Sequence, residues 1–214
     1  MMEAFAEPIR VAGALTWSAA GRAHPRSAYL GDMHLVTSFE GGAMIAVVDG
    51  VGHGEDAHRA AAAAIGALGQ VLPDVSLLDC LASVHEACRR TRGAALSVAR
   101  VFVSTEERLL MEWGGIGNVE GVLVHAGPRG VTRRRLVSTN GVAGYRFDRA
   151  RTTRVALAPG DMIAFATDGV DPRFADDLTP FGPLDDTCKH LLHQHGRPHD
   201  DALVLLARIG REAP

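Results

Sequence analysis

Cysteine is scarce in this chain. It occurs three times, at Cys80, Cys88 and Cys188, an odd number with no CxxC spacing. That argues against a disulfide framework and a cysteine zinc site, and it fits the reducing cytoplasm. No apolar run reaches the ~18 residues that a membrane helix needs. The N-terminal MMEAFAEPIR has neither a basic stretch nor a long apolar core, so no signal peptide is expected. A surplus of either charge is also missing. The 22 Lys and Arg against 25 Asp and Glu leave a formal charge of −3. No broad basic face for nucleic acid is expected. The one basic run, Arg133, Arg134 and Arg135, reads as a solvated strand or turn face.

Several motifs are incomplete or missing. No GxxxxGK[ST] stretch exists, so a P-loop nucleotide enzyme has no support. The "HEACR" at His85–Arg89 lacks the second histidine of HExxH. His190, His193 and His195 cluster near a helix end, but no carboxylate or cysteine is spaced to complete a zinc site, and a surface cluster is expected. There is no internal repeat, low-complexity tract or linker. A length of 214 residues, 47% of them apolar, suits one domain over 1–214 with enough material for a core.

What is present is a succession of apolar runs broken by glycine, proline and charge. Strands are expected over Ile9–Trp17, Met33–Phe39 and Ala43–Val48, with a loop over Ser18–Gly31. Gly41-Gly42 suits a hairpin. Helices are expected over Glu55–Leu72, rich in alanine and ended by Pro73, and over Ser76–Arg92, with Ser76 as N-cap. Strands return at Ala95–Ser104, Arg108–Trp113, Val119–His125, Val131–Val137, Thr152–Leu157 and Met162–Thr167. A helix over Leu184–His195 precedes a last strand, Ala202–Ile209. Short turns imply antiparallel pairing, and grouped helices imply an α+β fold of two sheets packed face to face with helices outside.

Acids punctuate these runs. "MIAVVDGVGHGEDAHRA" stops an apolar strand on Asp49, with Gly50, Gly52 and Gly54 around His53. "MIAFATDGV" stops another on Asp168, before Gly169. Asp200 and Asp201 stand just ahead of "ALVLLARI", and Asp32 follows Gly31 at the start of a strand. Any one Asp-Gly is an ordinary turn pair. Four acids, each tied to a strand end, are harder to explain that way. Brought together, they would raise one another's pKa and oppose folding, unless a divalent cation with a taste for oxygen ligands relieved them. Glycine after an acid lets the backbone come close, so that a carbonyl can also face a metal. His53 is either a locally bonded turn residue or a proton donor to a leaving oxygen. Asn118 in "GIGN" either orders a loop or touches the site.

These pieces have a family order. "GD" at Gly31-Asp32, "VVDGVGHG" at Val47–Gly54, "GGIGNVEGVLV" at Gly114–Val124, "NGVAGYR" at Asn140–Arg146, "ATDGV" at Ala166–Val170 and "HDDALVLLARI" at His199–Ile209 cover nearly the whole chain. In this the chain resembles the metal-dependent serine/threonine phosphatases of the protein phosphatase 2C superfamily, in the bacterial branch of SpoIIE, RsbU and RsbX. "GGIGNVE" and "NGVAGYR" look most like the stressosome phosphatase RsbX. A single catalytic unit with no regulatory domain ahead of it is expected, which also fits RsbX.

The resemblance implies a four-layer αββα sandwich. It implies two Mn²⁺ or Mg²⁺ ions, bridged by Asp49, with the Gly50 carbonyl on one of them. Asp168 and Asp200 would serve the other metal, and Asp32 would act on the second, directly or through water. A water activated by the two metals would attack the phosphorus, with Asp49 and Asp168 as catalytic residues and His53 as a candidate acid. No separate organic cofactor is implied. The substrates would be phosphorylated STAS-domain proteins of a stressosome. An RsbU- or SpoIIE-like action on an anti-anti-sigma factor is the alternative. A degenerate fold that only binds proteins is a third reading, against which the intact acids Asp32, Asp49, Asp168 and Asp200 speak. The chain departs from the family in three places. Leu203 stands where the final motif usually has threonine, and Pro172–Pro183 is short where larger relatives carry a flap. No clear counterpart exists for the phosphate-gripping arginine, for which Arg22 and Arg26 are the nearest candidates.

Overall fold

The computed structural model describes residues 3–5, 8–9, 15–72, 74–128, 130–147 and 149–210. Strands β1 (Glu3–Phe5), β2 (Pro8–Ile9), β3 (Leu15–Arg22), β4 (Asp32–Phe39) and β5 (Gly42–Gly50) lead into helices α1 (Glu55–Gly69) and α2 (Leu77–Cys88). Then come β6 (Ala94–Val103), β7 (Leu109–Ile116), β8 (Glu120–Gly127), β9 (Gly130–Leu136), β10 (Gly141–Val142), β11 (Arg146–Phe147), β12 (Thr152–Ala156) and β13 (Met162–Ala166). A 3-10 turn over Pro172–Asp177, helix α3 (Leu184–His195) and β14 (Ala202–Ile209) complete the chain.

The strands form two antiparallel sheets. One has the order β1-β3-β14-β13-β8-β9, with β2 also on β3, and the other the order β12-β7-β6-β5-β4. Helices α1 and α2 cover the second sheet and α3 covers the first, which gives the αββα layering. The unbroken apolar run of β5 follows from this. Ile45 and Val47 point between the sheets, while Met44, Ala46 and Val48 point at α1 and α2, so both faces are buried. Strand β14 does the same, with Leu205 between the sheets and Val204 and Leu206 against α3.

Several boundaries differ from expectation. Strand β3 runs through Ser18–Arg22, where a loop was expected, because it pairs with β14 over eight residues from Leu15↔Ile209 to Arg22↔Ala202. Its small residues are weak strand formers on their own, and the partner strand overrides that. Residues 10–14 of the strand expected at Ile9–Trp17 lie outside the described residues, as does Pro73. Helix α1 stops at Gly69. Helix α2 stops at Cys88 rather than Arg92, since the Thr91 hydroxyl donates to the Cys88 carbonyl at 2.7 Å and Gly93 turns with φ +85°. The Ser76 cap stands as expected, accepting from the Asp79 backbone N–H at 3.1 Å. The β10–β11 hairpin and the 3-10 turn were not foreseen.

Candidate metal centre

The register of β4 on β5 places Asp32 directly opposite Asp49. On the other sheet, β13 pairs with β14 with Ala166 opposite Val204, so Thr167 and Asp168, just beyond β13, reach the end of β14 that Asp200 and Asp201 precede. The two pairs of strand ends meet at one end of the sandwich. Thr167 joins them: its hydroxyl donates to Asp32 Oδ2 at 2.7 Å and accepts from the Leu203 backbone N–H at 2.9 Å. Asp49 and Asp168 lie within side-chain hydrogen-bonding reach of each other. Asn118 donates to Asp168 Oδ2 at 2.6 Å, so it touches one of the candidate acids.

Glycine after each acid has a definite steric reason. A Cβ on Gly50 would lie 2.0 Å from the Ala57 carbonyl oxygen of α1, and one on Gly169 would lie 1.7 Å from the Asp201 carbonyl oxygen. The close approach is therefore to the protein's own backbone. Gly50 also donates its N–H to the Gly31 carbonyl at 3.1 Å, which ties the two Asp-bearing turns together.

The electrostatics show what this assembly opposes. Asp32 is 2% exposed, and burial above all pushes its pKa well up; the Thr167 hydroxyl draws it back, while Asp201, Asp168 and Asp200 push it further. Burial, then the charges of Asp32 and Asp168, push Asp49 up to about 9. Asp200 is raised by burial and by Asp168. Hard divalent cations bound through oxygen would reverse these shifts, and every side-chain donor here is a carboxylate. Among the described residues no three His, Cys, Asp or Glu side chains converge to hold one ion. Mg²⁺-like ions keep several waters in their shell and take their remaining ligands from carboxylates. The donor set fits such ions.

A recess of about 650 Å³ opens onto the acids, lined by Asp49, Gly52, His53, Asn118, Asp168 and Asp200 among others. A second hollow of about 610 Å³ lies between β3 and β4 and reaches only Asp32 of the four. The chemistry belongs to the first, which holds the other three. Over it, the His53 ring stacks on His24, with centroids 4.3 Å apart and planes 11° from parallel.

The structure thus brings together Asp32, Asp49, Gly50, Asp168 and Asp200, with His53 at the rim. It does not bring Arg22 or Arg26 to the recess lining; Arg22 instead donates to the Arg197 carbonyl at 2.5 Å. His195 bonds Asp177 at 2.8 Å rather than joining a histidine metal site. In the basic run, Arg133 donates to the Leu178 carbonyl at 2.9 Å and Arg135 pairs with Glu120. Sequence reasoning gave no site role to Thr167, Asp201 or His24, although it noted Asp201 beside Asp200. The first two had a faint signal, since each adjoins a predicted ligand; His24 had none.

The comparisons agree with this fold. A family model described as Stage II sporulation protein E (SpoIIE) matches residues 40–210. No curated protein matches the chain. A solved structure described as "The bacterial stressosome: a modular system that has been adapted to control secondary messenger signaling" is 26% identical, with a TM-score of 0.77, covering 91% of this chain and 99% of that one. RsbX in complex with magnesium is 18% identical, with a TM-score of 0.79, covering 96% and 100%. The PP2C phosphatase domain of SpoIIE from Bacillus subtilis, with a fragment of its regulatory domain, is 15% identical, with a TM-score of 0.73, covering 100% and 70%.

Proposed function

We propose that this chain, which belongs to the Stage II sporulation protein E (SpoIIE) family, uses Asp32, Asp49, Asp168, Asp200 and the Gly50 carbonyl to hold two Mn²⁺ or Mg²⁺ ions. Family membership makes it a metal-dependent serine/threonine protein phosphatase of the PP2C type. The observation that carries the reading is the meeting of strand-end acids from two sheets: Asp49, Asp168 and Asp200 line one recess, and Asp32 stands opposite Asp49 in the strand register.

When bound, the cations supply Lewis-acid activation of a water and of the phosphate. The rest falls to the chain's own residues. Asp49 links the β5 side of the site to Asp168 on the other sheet. Thr167 holds one oxygen of Asp32, and Asn118 holds one of Asp168, so each acid keeps an oxygen free to ligate. The water oxygen bonds to phosphorus as the phosphorus–oxygen bond to the serine or threonine side chain breaks. His53 donates its proton to that departing oxygen and the water's proton passes to solvent, leaving the free hydroxyl and inorganic phosphate.

The substrates we assign are phosphorylated STAS-domain proteins of a bacterial stressosome, whose dephosphorylation resets the stress signal. The likeness to RsbX and to the stressosome structure supports that choice. Membership of the SpoIIE family keeps an anti-anti-sigma factor as the competing substrate. The place of action is the cytoplasm; no helix among the described residues is long and apolar enough to cross a membrane.

The experiment is phosphate release from p-nitrophenyl phosphate and from each phosphorylated STAS protein, with Mn²⁺ and with EDTA. Metal-dependent release from the stressosome protein is expected. Release from the anti-anti-sigma factor alone overturns the substrate. Folded protein that hydrolyses nothing in any metal is a binding module, and the catalytic reading fails.

A further inference from the structure

The proton donor proposed above sits in a poor place to hold still. His53 lies exposed in a turn with glycine on either side, Gly52 at φ +90° and Gly54 at φ +81°. Among the described residues no hydrogen bond holds its ring. An imidazole on such a turn samples several rotamers, and aiming one over the recess loses that freedom. The ring contact it makes among the described residues is with His24, face to face at 4.3 Å and 11°.

His24 is itself firmly held. Its backbone N–H donates to Asp201 Oδ1 at 2.8 Å, and its Nδ1 accepts the Arg26 backbone N–H at 3.1 Å. With Nδ1 committed as acceptor, the neutral ring carries its proton on Nε2. Asp201 is 4% exposed, at the foot of β14 beside Asp200. Contact therefore runs from the strand that carries a metal-ligand candidate, through Asp201 and His24, to the ring of His53.

We propose that His24 is the positioning residue for the phosphatase's proton donor: its ring is a fixed platform that holds the His53 imidazole over the recess. The inference rests on the reading of His53 as that donor. His24 itself touches neither substrate nor metal in this role.

The full chain with Mn²⁺ is assayed on two substrates. The p-nitrophenolate leaving group departs without a proton, whereas a serine alkoxide needs one. The readout is the ratio of kcat on a phosphoserine peptide to kcat on p-nitrophenyl phosphate. Loss of a general acid is worth about 10²–10⁴-fold, so His53→Ala lowers the ratio by about 10²-fold or more. His24→Ala lowers it by about tenfold, and His24→Phe, which keeps an aromatic face, restores it to within about threefold. His24→Leu fills the space without that face and serves if the alanine variant is unfolded; it lowers the ratio as His24→Ala does. If His53→Ala lowers the ratio and neither His24→Ala nor His24→Leu does, the platform is wrong and the donor stands. If the His24 variants lower both activities equally, or phenylalanine gives no rescue, His24 only supports the fold and the inference fails. If His53→Ala leaves the ratio unchanged, the donor reading fails and the platform with it.

Discussion

Asp32 and Asp49 stand directly opposite one another on neighbouring antiparallel strands, β4 and β5. Such partners lie about 4.5–5.5 Å apart, and like charges there oppose pairing. The protein places this repulsion at the end of a buried sheet and adds Asp168 and Asp200 from the facing one. Nothing in the packing requires four acids at this point. A cation site does.

Asp49→Asn removes the charge at the centre of that group while keeping its shape. The fold is retained, and near neutral pH the metal-free protein melts higher than wild type, because asparagine need not take up the proton that the raised Asp49 carboxyl binds on folding. Turnover falls by about 10²–10³-fold or more, as expected when several kcal/mol of metal-centred stabilisation is lost. Metal titration of p-nitrophenyl phosphate hydrolysis checks it, and near-normal activity would refute the two-metal assignment.

The pH dependence follows from Asp49. Its carboxyl is raised from 3.8 to about 9 in the fold. The folded state therefore binds the proton more tightly than the unfolded chain, and its stability falls as pH rises through that window. In EDTA, the melting temperature at pH 5.5 should exceed that at pH 8.5. Saturating Mn²⁺ should raise it more at pH 8.5 than at pH 5.5, because the metal replaces the proton. Thermal melts at the two pH values, with and without metal, decide this.

Thr167→Val deletes the hydroxyl that links the sheets. The buried Leu203 N–H loses its acceptor, at a cost of about 1–3 kcal/mol, and Asp32 loses its donor. Stability falls by that order, and the Mn²⁺ concentration for half-maximal activity rises. Thr167→Ser, which keeps the hydroxyl, stays close to wild type in both. Chemical denaturation and metal titration measure the two effects.

Gly169→Ala drives a Cβ into the Asp201 carbonyl, 1.7 Å away in the unshifted backbone. The turn bearing Asp168 must move relative to β14. Overpacking of this kind costs about 1–3 kcal/mol, and here it also displaces a proposed ligand. Activity should fall more steeply than stability, which parallel melts and kinetics would show.

Asp49 shows how the site was legible. An acid ending an apolar run before glycine is a local signal, and it is repeated at Asp168. The length of β14, all eight residues from Ala202 to Ile209, was legible for the same reason, since an apolar run between a polar pair and a glycine bounds itself. Strand β3 was not. Ala19, Ala20 and Gly21 carry no strand preference, and only pairing with β14 makes them one.

The sequence by itself determined the chemistry: which acids the chain carries, the strand ends they occupy, and the alternation that buries both faces of β5. These are local properties, set by side-chain type and a two-residue period. The tertiary structure alone decided which partners those acids have. Thr167 meets Asp32 across 135 positions and His24 meets Asp201 across 177, and no local pattern encodes such contacts. They exist because two sheets close on one another, and that closure places a hydroxyl, an amide and a stacked ring around a charge cluster.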